Sequence, residues 1–190
     1  MEGIFTLPYS EYAVANKLNE LLGKNNCSIY IPTSRQQKGI DLIVNKNETK
    51  NIVRIQVKSS RTYIDGGKNP DFQYHLWLGN FINRYQKNLA DFYIIVGIYA
   101  ELNMEMKVSS KTKIWKELYL CYTDNEMYKL LKNVKTINKS KSDLFFGYSF
   151  TSPNKIYLSR GFKYLSLNER EASADLLDNK IEYIKTILND

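Results

Sequence analysis

The sequence predicts an α/β (α+β) domain of layered helices and sheet, on three observations. An amphipathic helical stretch opens the chain, and β-rich segments separated by polar or glycine-containing connections follow. A second amphipathic helix closes it. The 190 residues fit a single domain, 1–190, and 43% apolar with 25% charged residues is enough to bury a core. Wholesale disorder is excluded on that balance.

The elements follow in order. From Ser10 to Gly23, Val14, Leu18, Leu21 and Leu22 recur at helical spacing, with Ser10 as N-cap and Gly23 as stop. Glu11 lies on the same stripe as Val14 and Leu18. A carboxylate there is either bound by something or favours the helix N-terminus through the macrodipole. Cys27–Thr33, Ile40–Asn45 and Ile52–Ser59 read as strands, the last two joined as a hairpin by the polar Lys46–Asn51. Along the third, Val53, Ile55 and Val57 point to a core, while Arg54, Gln56 and Lys58 point to a polar face or a site. Arg61–Asp71 reads as a loop, Tyr74–Leu78 as a strand and Asn80–Asn88 as a short helix. Phe92–Ala100, nearly all apolar, suits a central strand covered on both faces. Met127, Leu130, Leu131 and Val134 predict a helix capped near Asp124. The closing helix is predicted with Asn168 as N-cap, Glu171 at N3, and Ala172, Leu176, Leu177, Ile181, Ile184 and Leu188 on its apolar stripe.

Charge and motifs narrow the function. Against 20 Asp+Glu stand 27 Lys+Arg, a net charge of +7 and a pI of about 9.2, which favours polyanionic partners, nucleic acid before a membrane surface. Cys27 and Cys121 form no CxxC and no disulfide framework. The N-terminal MEGIFTLPYSEY lacks the pattern of a signal peptide, and the apolar run Phe92–Ala100 is too short to span a membrane. A soluble, cytoplasmic protein is expected. The lone His75 reads as an ordinary strand residue. The absence of GxSxG, P-loop and GxGxxG patterns argues against a serine hydrolase and against a nucleotide cofactor.

The chemistry-bearing stretch is Gly39-Ile40-Asp41-Leu42-Ile43-Val44, followed by Gln56-Val57-Lys58. A hairpin brings Asp41 and Lys58 together. The Asp41 carboxylate, the Gln56 amide oxygen and the Val57 backbone carbonyl are hard oxygen donors suited to a divalent cation. A neighbouring lysine can orient or deprotonate water, or offset charge developing on phosphate. The plain alternative makes Asp41 a strand start bonded to Arg35 or Lys38, and Gln56 and Lys58 a solvated strand face.

In this pattern the sequence resembles the PD-(D/E)XK nuclease superfamily, in the variant whose motif ends QxK. Glu11, the Gly39–Asp41 strand start and Ile55-Gln56-Val57-Lys58-Ser59-Ser60 fall in the family's order and rough spacing. The similarity extends to intron-encoded homing endonucleases and, more distantly, to archaeal Holliday-junction resolvases. The resemblance implies a restriction-endonuclease-like core, a mixed four-stranded sheet flanked by helices, over residues 8–100. Residues 101–190 would be a C-terminal extension packed on that core and carrying additional helices. It also implies Asp41 as main metal ligand, Gln56 as a weaker one, Lys58 as catalytic lysine and Glu11 as the acid completing the site. The metal would be magnesium, with manganese able to substitute. Ile40 stands where the family has proline, and Gln56 where it has a second carboxylate, which removes a negative charge from the metal site.

Basic residues mark where nucleic acid would lie. Arg35, Gln37 and Lys38 precede Asp41, and Arg54, Arg61 and Lys68 extend along and beyond the catalytic strand. Lys129–Lys141 holds five lysines, which serve equally as a solvated helix face. Such contacts give salt-dependent affinity without sequence information. The leading expectation is a magnesium-dependent DNA endonuclease, with RNA left open as substrate and a homodimer supplying two sites if both strands are cut. The alternatives are a non-catalytic nucleic-acid-binding module of the same fold, and a protein-interaction module in a mobile-element or defence system.

Overall fold

A computed structural model describes residues 9–23, 26–32, 39–47, 49–64, 71–101, 114–135 and 145–189, in which runs of strands are separated by single helices. The order is α1 (Tyr9–Leu22), β1 (Cys27–Tyr30), β2 (Leu42–Lys46), β3 (Ile52–Ile64), β4 (Tyr74–Gly79), α2 (Phe81–Arg84), β5 (Phe92–Ala100), β6 (Trp115–Thr123), α3 (Asp124–Lys132), β7 (Phe145–Ser152), β8 (Lys155–Leu158) and α4 (Leu177–Asn189). Among these residues no helix is long and apolar enough to cross a membrane.

The strands form two sheets that share β3. In the main sheet β1, β2 and β3 run antiparallel in that order, β5 lies parallel to β3, and β6 closes the row antiparallel to β5. The sheet is therefore mixed, with five strands where four were expected. Beyond Arg61 the far end of β3 turns to a second, antiparallel sheet, β3–β4–β7–β8, in which Thr62 to Ile64 face Leu76 to Tyr74. β3 is 13 residues long and runs through Arg61–Ile64, where a loop was expected.

Strand parity sorts the core into two layers. Val53, Ile55 and Val57 meet Val14, Leu18 and Leu22 of α1 and Ile181, Ile184 and Leu188 of α4 on one face of the main sheet. On its other face, Tyr93, Ile95, Leu118 and Leu120 meet Leu76, Phe146, Tyr148 and Phe150 of the second sheet and Met127 of α3. Each such side chain, taken fully from water, stabilises by about 1.5–3 kcal/mol, which holds three layers together. β5 is covered on both faces, as its unbroken apolar run predicts.

The second half of the chain departs from expectation. Residues 101–190 supply β6 to the main sheet and β7 and β8 to the second, so they complete both sheets as well as adding helices. The closing helix begins at Leu177, not near Asn168. Ala172 N–H donates to Ile156 O at 2.8 Å, and Tyr157 pairs with Glu171 and Leu120 with Leu176 across isolated bridges. The segment before α4 thus spends its backbone bonds on neighbouring strands, with 3-10 turns at Asn168–Arg170 and Ser173–Asp175. Ser10 lies inside α1 and does not cap it. The expected helix at Asn80–Asn88 shrinks to the single turn of α2. α3 starts where predicted, Thr123 and Glu126 forming a reciprocal capping box.

Candidate active site

The pairing between β2 and β3 ends at Leu42 opposite Ile55, and the site begins there. Asp41 N–H still donates to Ile55 O at 2.9 Å. One residue further the ladder is replaced by a side chain: Val57 N–H donates to Asp41 Oδ2 at 2.7 Å. Backbone groups of alternate strand residues face alternate edges, so the Val57 carbonyl faces the same open edge as its N–H. Gly39 sets the approach to Asp41. Its φ is +96°, and a Cβ there would lie 2.0 Å from the Leu89 side chain.

Leu42 is buried under α1 and α4, so Asp41, its neighbour, belongs to the opposite face of the sheet, with Gln56 and Lys58. Gln56 is only 6% exposed, and its amide bonds to none of the other described residues. Lys58 Nζ sits 5.8 Å from the centre of the buried Phe81 ring, at the start of α2. Burial pushes the Lys58 ammonium below its ordinary pKa; Asp41 pulls it back up, Arg84 lowers it further, and Glu11 raises it. The structure thus puts Asp41, Gln56 and Lys58 on one face of the sheet and half-buried Glu11 within electrostatic reach of Lys58. It adds Arg84, which the sequence did not single out.

The donor set suits a hard divalent cation. A carboxylate with one oxygen free of the Val57 bond, a side-chain amide oxygen and a strand-edge carbonyl are oxygen ligands. They carry less negative charge than a pair of carboxylates, and no group of three or more His, Cys, Asp or Glu residues that could hold a metal occurs among the described residues. A cation held there would need further negative charge, and among the described acids half-buried Glu11 is within electrostatic reach of Lys58.

The expected nucleic-acid contacts divide. Arg54 shares the face of Gln56, but its guanidinium is bidentate to Asp91, Nε to Oδ2 at 3.1 Å and Nη2 to Oδ1 at 2.8 Å. Asp91 Oδ2 also accepts from Arg54 N–H, so Arg54 clips β3 to the start of β5. Arg61 is exposed on β3. Arg35, Gln37, Lys38 and Lys68 lie outside the described residues, as do Lys139 and Lys141. Lys129, Lys132 and Lys135 are exposed on and after α3, Lys132 and Lys135 against the rings of Tyr128 and Tyr164. His75 is a strand residue, its Nδ1 2.7 Å from Ser149 Oγ. Neither Cys27 nor Cys121 is in a disulfide.

No protein-family model matches the chain, and no curated protein matches it.

Proposed function

We propose that the protein is a divalent-metal-dependent DNA endonuclease built on a restriction-endonuclease-like core. The observation that carries this reading is the meeting, at the point where β2 leaves β3, of the Asp41 carboxylate, the buried Gln56 amide and the half-buried Lys58 ammonium. The mixed sheet, with α1 supplying Glu11, supports it further. Asp41, Gln56 and the Val57 carbonyl would hold magnesium or manganese, with Glu11 adding charge. Bound there, the ion would polarise a phosphate and lower the pKa of a water molecule. The residues do the rest. Lys58, held by burial against Phe81, orients the attacking water and offsets charge growing on the phosphate. Arg84 binds a neighbouring phosphate oxygen. Water adds to phosphorus, the P–O ester bond breaks, and the leaving oxygen takes up a proton.

The test is incubation of supercoiled plasmid with the protein in magnesium, manganese or EDTA, beside Asp41→Asn and Lys58→Met. Nicking or linearisation that requires metal and disappears in both variants is the expected result. Equal cutting by the variants and the parent protein refutes it. A second reading, a nucleic-acid-binding module that no longer cuts, is favoured by Gln56 standing in place of a carboxylate. Magnesium titration by calorimetry separates the two, since only the nuclease shows uptake that Asp41→Asn abolishes. Deleting residues 101–190 does not test a partner-binding role, because it removes β6 and β7 from the two sheets.

A further inference from the structure

The outer face of the second sheet carries aromatic side chains where an antiparallel sheet facing solvent ordinarily carries polar ones. Its inner face is accounted for: Tyr74, Leu76, Tyr148 and Phe150 are buried against the main sheet. On the outer face one transverse row runs Tyr63, His75, Ser149, Tyr157 across all four strands. Beside it the Trp77 indole lies over Gly147, where a Cβ would come within 2.7 Å of its Cδ1. Phe145 lies likewise over Gly79, at 2.6 Å. The Tyr63 and Trp77 ring centres are 5.0 Å apart. The face is open at Tyr63 and Phe145, 56% and 39% exposed, whereas Ser149 in the middle of the row is covered, at 1%.

Cations are interleaved with these rings. The Arg160 guanidinium sits 5.1 Å from the centre of Trp77 and 4.6 Å from that of Phe145. Lys155 Nζ lies 5.8 Å over Tyr157. Continuing the pairing of Thr62 with Leu76 puts the exposed Arg61 opposite Trp77. Glu171 stands at the far edge, bridged to Tyr157. Flat π faces alternating with guanidinium and ammonium groups match a strand whose bases are unpaired and whose backbone is anionic. Paired bases offer no free faces to such a surface. The face also leads to the candidate active site, because β4 passes directly into α2, whose Phe81 lies against Lys58.

We propose that this face is a stacking platform for the unpaired bases of single-stranded DNA. Resting on the nuclease reading, it follows that the DNA offered to Asp41 and Lys58 carries a single-stranded segment.

The test uses the full chain with Asp41→Asn and Trp115→Phe, which leaves Trp77 as sole tryptophan, titrated in EDTA with a twelve-residue oligothymidylate. Saturable quenching of Trp77 emission is expected, with little quenching by a duplex of equal length. Adding Tyr63→Ala should weaken binding roughly 5- to 150-fold, the contribution of one stacked base. Tyr63 is exposed at the end of β3, and an unchanged circular dichroism spectrum verifies that the variant is folded. No quenching, or binding indifferent to Tyr63→Ala, overturns the proposal. Self-association abolished by Tyr63→Ala would assign the face to a second copy and overturn it too. Since no cleavage is required, quenching beside a plasmid and a single-stranded DNA circle both left uncut in magnesium and manganese refutes the nuclease reading alone. Cut plasmid without quenching refutes the platform alone.

Discussion

Asp41 has two jobs that two substitutions can separate. Its Oδ2 accepts the Val57 N–H at 2.7 Å, a charge-assisted bond to a residue only 6% exposed. Asp41→Ala leaves that donor without an acceptor, which costs about 2 kcal/mol. For a chain of this size the melting temperature should fall by about 4–8 °C. Asp41→Asn keeps an oxygen in the same place and loses only the charge assistance, about 1 kcal/mol or less, so its melting temperature should fall by no more than about 4 °C. In the proposed chemistry both variants lose a metal-holding carboxylate, and cleavage should drop in both by at least about 100-fold. The assay is the rate of plasmid nicking in magnesium, with melting followed by fluorimetry on the same preparations. Wild-type nicking by a stably folded Asp41→Asn would refute the reasoning, for it would leave the carboxylate only its bond to Val57.

Lys58→Met should abolish cleavage while raising the melting temperature at neutral pH. Burial lowers the Lys58 pKa below 10.5, so between the two values the unfolded chain binds the extra proton and stability climbs with pH. Below that window the folded state carries the full desolvation cost, which methionine removes; a lowered melting temperature counts against this. Arg84→Gln should move the alkaline limb of the pH–rate profile to higher pH, because the Arg84 charge depresses Lys58. A limb that stays in place excludes Lys58 as the titrating group. Arg61→Ala should reduce the slope of log affinity against log salt by about one. Arg54→Ala should leave that slope unchanged and cost at most about 1 kcal/mol, its guanidinium being spent on Asp91 at the half-exposed edge of the sheet. Filter binding across a salt series checks both.

What the sequence disclosed follows its periodicities. The two-residue parity of β3 separated Val53, Ile55 and Val57 from Gln56 and Lys58, and the unbroken apolar run marked β5 as a strand buried on both faces. β7 escaped notice because Gly147 and Ser149, on its outer face, interrupt its apolar character. Gly147 is needed there for Trp77 to lie over it, a reason invisible from within the segment. Trp115–Thr123 carries lysine and glutamate in its exposed first half and has no clean alternation. Ala172 and Leu176 keep helical spacing, yet their backbones pair with β8 and β6, so tertiary pairing overrode local pattern. At the site, Asp41, Gln56 and Lys58 were legible because hairpin register alone aligns them. Arg84 was not, since it reaches Lys58 only through the return of β4 and the turn of α2.

The late completion of both sheets bears on how the chain is made. When Ala100 has been synthesised, β5 still lacks β6, and β4 still lacks β7. Each is an unpaired edge rich in aromatic and branched side chains, the kind of edge that joins other chains. At roughly 5–20 residues per second, the ribosome needs several seconds more to reach Ser152. For that interval the nascent protein holds Asp41, Gln56 and Lys58 on a sheet that cannot yet close. Slowed elongation over 101–152 should therefore send more of the product into aggregates, and the yield of soluble protein should depend on translation speed through that stretch.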